Sequence, residues 1–220
     1  MSGNRPNFRD DENGAALLEF TVAAFTFFII LFGTLDFAQV YFKWNLATKA
    51  TQFGARLATV SDPVAGALTT LTGVGGAVLP GGPMPAFDYT CTPTSANGSA
   101  GTCTNSGTYN VAAMQTIFYG RGNGTSCTGT GLNIGMCNLL GGMVNANGTA
   151  LTAQNVTIRY QYTGLGYAGR PGGPVPTITV SLTGISHNFT LVGGLANIAS
   201  VTLPAFATTV TGEDLAVAGS

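Results

Sequence analysis

The side chains that could carry chemistry are few in this 220-residue chain, and they form three groups. A carboxylate, Glu19, lies inside an apolar run five residues after Gly14. His187 is the only histidine. The four cysteines form two close pairs, Cys91 with Cys103 and Cys127 with Cys137. These groups correspond to a charge inside a membrane span, to acid–base chemistry, and to disulfide or metal chemistry.

The scarcity of charge argues against an enzyme. Charged residues make up 8% of the chain, against about 25% in a typical soluble domain. Between Pro63 and Gly212 the only acid is Asp88, so a pair of catalytic carboxylates cannot be built there. A Ser-His-Asp hydrolase would need His187 with Asp88, and no G-x-S-x-G motif is present. We therefore predict no catalytic residues and no cofactor, and place His187 at the surface or in a turn.

Nucleic-acid and nucleotide binding are also disfavoured. The net charge of −1 gives no general attraction to phosphate backbones. Residues 164–169 (GLGYAG) match the G-x-G-x-x-G pattern, but the next five residues, RPGGP, cannot continue a helix. We predict a turn-rich loop there.

The cysteines favour disulfides over zinc. Their spacings of 12 and 10 residues do not match the C-x₂₋₄-C pattern of structural zinc sites. The segments between them are rich in Gly, Thr, Ser and Asn, and a disulfide of about 2–4 kcal/mol would order them. Sequential pairing closes two short loops, although four cysteines permit three connectivities. Disulfides in turn imply an oxidising compartment.

The N-terminal elements predict a membrane anchor. Residues 15–35 contain a single charge, Glu19, and as a helix they would be about 31 Å long, enough to cross a bilayer core. The run is longer than the apolar region of a cleaved secretory signal, and no A-x-A-like site follows it. A charge within such a span is a functional candidate. The alternative is that Glu19 lies near one end of the span and reaches the interface.

The same helix is predicted to continue to about Val60. Apolar residues recur every three or four positions after Asp36, and Asp62-Pro63 is a stop signal. These residues are Phe37, Tyr41, Trp44, Ala47, Ala50, Phe53 and Leu57. We expect this half to pack on the domain that follows.

The remaining residues predict a loop-rich β domain. Strand patterns occupy residues 155–163, 177–182 and 201–211, and residues 110–119 form a short helix. The fold class is therefore α+β, with a long N-terminal helix before a small, mostly antiparallel head. We divide the chain into residues 1–14, 15–36 (transmembrane), 37–62 (amphipathic) and 63–220 (head).

The residues around Glu19 resemble a known family. GAALLEF (residues 14–20) is similar to the prepilin-peptidase site of the type IV pilin superfamily in its Flp/Tad form. LFGTLDFAQVYF (residues 31–42) resembles the start of the TadE/TadG-like minor pseudopilins. Residues 156–184 and 203–215 also resemble that family.

The resemblance implies processing and a role. Cleavage would follow Gly14, so residues 1–14 would be a leader, Ala15 the new N-terminus, and Glu19 and Phe20 the next residues of the motif. The protein would be a minor pseudopilin that supports assembly, initiation or capping of a Tad pilus. It would cross the inner membrane once, with its head in the periplasm, or enter an extracellular, adhesive pilus. Its partners would be pilin subunits, the Tad assembly machinery, the prepilin peptidase and lipid. The alternative is an uncleaved single-pass periplasmic protein that binds a ligand or glycan.

Overall fold

The computed structural model describes residues 12–189, 193 and 200–212. The chain divides into two compact units. One comprises Met1–Tyr41 with Asn188–Ser200, and the other comprises Phe42–His187 with Val201–Ser220. Residues 1–11 of the predicted leader lie outside the described residues.

The first element is the helix α1, Glu12–Thr59. Its bounds agree with the single long helix predicted from the apolar run and from the Asp62-Pro63 stop signal. In the first unit this helix is apolar on every side, and nearly all of its large side chains are exposed. Such a surface is unfavourable in water and suits lipid or another helix.

In the second unit, α1 packs through small side chains. Ala47, Ala50, Ala55 and Ala58 are fully buried, and a Cβ added at Gly54 would lie 2.8 Å from the Cγ of Met136. The prediction that this half of α1 packs on the head is therefore confirmed.

The packing face differs in part from the predicted one. Of the seven residues listed for it, Ala47, Ala50 and Leu57 are buried, whereas Phe37 and Tyr41 are 66% and 70% exposed. The periodicity identified the helix correctly, but small residues rather than aromatic ones form the close contact.

The head is built on a five-stranded antiparallel sheet in the order β2-β1-β3-β4-β7. Its strands are β1 (Asp88–Pro93), β2 (Gly101–Cys103), β3 (Val156–Gln161), β4 (Thr177–Leu182) and β7 (Phe206–Thr211). Two short strands, β5 (Ser186–Asn188) and β6 (Ser200–Thr202), form a second sheet. The helices of the head are α2 (Val111–Tyr119) and α3 (Met136–Leu139). The α+β class is confirmed.

Alternation of buried and exposed residues explains the central strands. In β3, Val156, Ile158 and Tyr160 face the core, and the residues between them are partly or fully exposed. This pattern is typical of a strand with one buried face. Asn110 caps α2 by accepting a hydrogen bond from the Ala113 N–H.

Two sequence predictions need correction. The segment 201–211 is two strands rather than one, because Leu203, Pro204 and Ala205 separate β6 from β7. His187 is 2% exposed and lies in β5, not at the surface or in a turn. Its neighbours Ile185 and Ser186 are also fully buried, and Ser186 bridges to Val144, whereas Asn188 at the end of the strand is exposed.

Candidate membrane and assembly segment

The strongest functional feature is the exposed apolar part of α1. Its most apolar 18-residue window has a mean hydropathy of 2.3, and no part of that window is buried. Residues 15–36 would span about 33 Å, slightly more than a bilayer core. By length and composition, this helix is a candidate membrane anchor.

The threonine hydroxyls of this segment are satisfied within the helix. The hydroxyl of Thr21 donates to the carbonyl of Leu17 at 2.7 Å, and that of Thr26 donates to Val22 at 2.9 Å. Thr34 bonds its own helix in the same way. Since lipid offers no hydrogen-bond partners, back-bonded threonines are compatible with a span.

The predicted processing residues lie on the first turns of the helix. Gly14, Ala15, Glu19 and Phe20 are all in α1, and all four are exposed. A Cβ added at Gly14 would meet nothing within 4 Å, so no packing contact requires glycine there. Glycine inside a helix costs roughly 0.5–1 kcal/mol relative to alanine. Its presence is therefore not explained by the fold of the described residues.

The four cysteines form two sequential disulfides. Cys91 and Cys103 are directly opposite each other on β1 and β2. Cys127 and Cys137 join a glycine-rich loop to α3. Each bond therefore closes one of the two polar loops that the sequence singled out.

Sequence reasoning missed the residues that fix the C-terminal end of α1. The guanidinium of Arg121 donates to the carbonyl of Val60 at 2.6 Å, and the hydroxyl of Ser61 donates to the carbonyl of Leu57. The carbonyls of the last helical turn lack partners within the helix. The hydroxyl of Ser61 therefore satisfies the carbonyl of Leu57 in that turn, and Arg121 satisfies the carbonyl of Val60 directly after it. No local pattern could reveal Arg121, because it is 61 residues from Val60.

A second fixing contact lies just beyond the helix. The backbone N–H of Val64 donates to the hydroxyl of Tyr160 at 3.0 Å, and both residues are fully buried. Burial raises the pKa of Tyr160 well above its usual value, so the hydroxyl stays neutral. The central strand β3 thus holds the segment that leaves α1.

Two charged groups of the head lie on neighbouring strands. Asp88 pairs with Arg159 on the neighbouring strand, and the hydrogen bond from Arg159 lowers the pKa of the Asp88 carboxyl. Both partners of this pair are exposed, with side chains about 45% and 43% accessible. Residues 164–169 are irregular, as predicted for that loop.

Comparison with known proteins finds a family match for the N-terminal helix. Residues 14–56 match the family model described as TadE-like protein. The matched segment covers almost all of α1 and stops before the head, so the resemblance noted for residues 156–184 and 203–215 lies outside it. No curated protein and no solved structure matches this chain.

Residues 14–56 of the N-terminal helix are therefore similar to TadE-like proteins, as the motif predicted. The similarity covers the N-terminal helix alone and suggests an association with the Tad pilus, and the same helix is a candidate membrane anchor.

Proposed function

We propose that this protein is a membrane-anchored minor pseudopilin that supports assembly, initiation or capping of a Tad-type (Flp) pilus. One observation carries the proposal. A single helix, α1, contains both an exposed apolar segment long enough for a membrane and a small-residue face packed in the head, and the family match covers both. An exposed apolar helix must bury its surface in lipid or against other helices.

Processing of the leader is part of this proposal. Cleavage after Gly14 would make Ala15 the N-terminus and place Glu19 fifth in the mature chain. The exposure of these residues and the absence of a packing role for Gly14 support a sequence selected for recognition rather than for folding. The new ammonium would then need a carboxylate partner in an apolar setting, and Glu19 of the same or a neighbouring subunit provides one.

The proposal also includes a compartment and limits for each domain. Residues 15–36 would cross the inner membrane, residues 37–62 would extend the helix, and residues 63–220 would form a periplasmic head. The two disulfides support an oxidising location for that head. The partners would be other pilin or pseudopilin subunits, the Tad assembly machinery and the prepilin peptidase.

A groove on the head favours the alternative, an uncleaved periplasmic protein that binds a ligand or glycan. It has a volume of about 460 Å³ and is largely apolar, with one cation, Arg121, and the exposed side chain of Leu132 at its wall. Binding of sugars to the full-length protein, together with a retained leader, would favour this function over pilus assembly.

Substitution of Glu19, the charge inside the apolar segment, tests the pilus role. Glu19→Ala in the native host should reduce the amount of assembled pilus, since the ammonium of Ala15 loses its partner. Thr21→Val is the matched control, because it lies on the same helix and its hydroxyl donates to the carbonyl of Leu17 one turn earlier in that helix. Normal pilus output from Glu19→Ala, at equal protein level, would contradict the proposed role.

A further inference from the structure

A group of aromatic side chains follows directly on the candidate membrane span. The sequence continues after Asp36 as FAQVYFKW, and we call Phe37, Tyr41, Phe42 and Trp44 the aromatic belt. All four side chains are exposed, although they belong to the continuous helix α1. A group of exposed aromatic rings marks an interaction surface.

The aromatic belt surrounds the helix rather than lining one side of it. At about 100° per residue, Phe37, Tyr41 and Trp44 lie along one side of α1. Phe42 and the cation Lys43 lie about 130° to either side of that stripe. A partner helix would cover one side of α1, whereas a layer of lipid headgroups contacts every side of it. The distribution of these side chains therefore favours lipid.

The residue types are those of a membrane–water interface. Residues 15–36 contain five phenylalanines but neither Tyr nor Trp, so rings with a polar tip begin where the predicted span ends. Tyr41 and Trp44 are such rings, and Tyr and Trp are enriched at both surfaces of a bilayer. Lys43 adds a cation that can reach lipid phosphates while its stem stays in apolar surroundings.

The spacing along α1 matches the dimensions of a bilayer. Phe28 lies midway between Glu19 and Phe37, which are about 27 Å apart along the helix. With Phe28 at the bilayer centre, Phe37 lies about 14 Å from that centre and Tyr41 about 20 Å. The hydrocarbon core ends about 15 Å from the centre, and the headgroup layer ends at about 20–22 Å. Trp44 lies about 24 Å out, but helical side chains tilt toward the helix N-terminus and here toward the membrane.

We propose that the aromatic belt binds the lipid headgroup layer and fixes the depth of α1 in the membrane. This inference rests on the membrane span of the proposed function but not on its pilus role. Glu19 then lies about 14 Å from the centre on the opposite side, close to the other surface of the hydrocarbon core. A carboxylate is less costly there than at the bilayer centre. Of the two positions that the sequence allows for this charge, the aromatic belt selects the one near the interface.

Tryptophan fluorescence measures the depth of chosen residues. The full-length protein is reconstituted into phosphatidylcholine vesicles whose acyl chains carry bromine, a quencher of tryptophan, either near the headgroup or near the terminal methyl group. Trp44→Phe removes the single native tryptophan and keeps an aromatic ring against Phe206. In this background, Tyr41→Trp should lose more emission with bromines near the headgroup than with bromines near the methyl group. Phe28→Trp should show the reverse order.

Two further variants test the opposite surface and the aqueous phase. Phe20→Trp, next to Glu19, should follow the same order as Tyr41→Trp. Leu132→Trp lies in the groove at the C-terminal end of α1, so aqueous iodide should quench it and neither lipid should.

The outcomes separate the aromatic belt from the membrane span. If Phe28→Trp is quenched most by the deep bromines but Tyr41→Trp by iodide alone, the span stands and the proposed lipid contact is overturned. Stronger quenching of Tyr41→Trp or Phe20→Trp by the deep bromines also overturns the proposed depth. If neither lipid quenches Phe28→Trp, the span itself fails, and the inference fails with it.

Discussion

Replacing Tyr160 with Phe should loosen the segment that leaves α1. The change removes the hydroxyl that accepts the Val64 N–H and leaves the rest of the ring in place. Both residues are fully buried, so the N–H has no access to water. An unsatisfied buried donor costs about 1–3 kcal/mol. For a protein of this size, 2 kcal/mol corresponds to a fall in Tm of about 4–8 °C.

The chain offers a matched control and a reporter for this measurement. Tyr89 lies directly opposite Tyr160 on β1, and its hydroxyl makes no hydrogen bond with the described residues. Tyr89→Phe is therefore the same chemical change without the lost bond. The single tryptophan, Trp44, packs edge-on against Phe206, with 4.8 Å between the ring centroids. Its fluorescence therefore reports on the contact between α1 and the sheet during unfolding.

Thermal unfolding of both variants in detergent, with disulfides intact, tests whether this hydrogen bond stabilises the protein. Tyr160→Phe should unfold several degrees below the unmodified protein, and Tyr89→Phe should stay within about 1–2 °C of it. If the two variants have equal Tm values, the buried hydrogen bond does not hold this segment and the reasoning fails.

Two further predictions concern the head. Gly135→Ala should lower the free energy of unfolding by about 1–3 kcal/mol, because the new methyl group would overlap the backbone of Phe118 to Gly120. Gly141→Ala is the control, because its methyl group would meet nothing closer than 3.8 Å and the change should be close to neutral. Chemical denaturation compares the two variants, and equal denaturation midpoints would refute the prediction. The hydrogen bond from Arg159 lowers the folded-state pKa of Asp88, so the stability it adds is complete above the unfolded-state pKa and is lost as pH falls through the folded-state value. Arg159→Gln should therefore weaken the dependence of stability on pH below about pH 4, by a small amount because the pair is exposed, and an unchanged profile would contradict it.

Much of the architecture could be predicted because its signals are local. The apolar run and the Asp62-Pro63 stop define α1, and alternation along residues 156–161 defines β3. The resemblance of the N-terminal helix to TadE-like proteins could also be predicted, because the motif from Gly14 to Phe20 is contiguous in sequence.

The errors arose where tertiary contacts decide. The burial of His187 depends on contacts with residues distant in sequence, which its polar type does not reveal. The packing face of α1 is formed by alanines and a glycine rather than by Phe37 and Tyr41, because close approach of the backbone favours small side chains. The bond between Arg121 and Val60 joins residues far apart in sequence, and no local pattern indicates it.

The central claim is that this protein is processed and inserted as a pseudopilin. Intact mass spectrometry of the protein purified from membranes of its native host tests that claim most directly. Our account predicts a chain that begins at Ala15 and gains about four hydrogens on reduction, as two disulfides require. A chain that still carries residues 5–14 would contradict it and leave α1 as an ordinary membrane anchor.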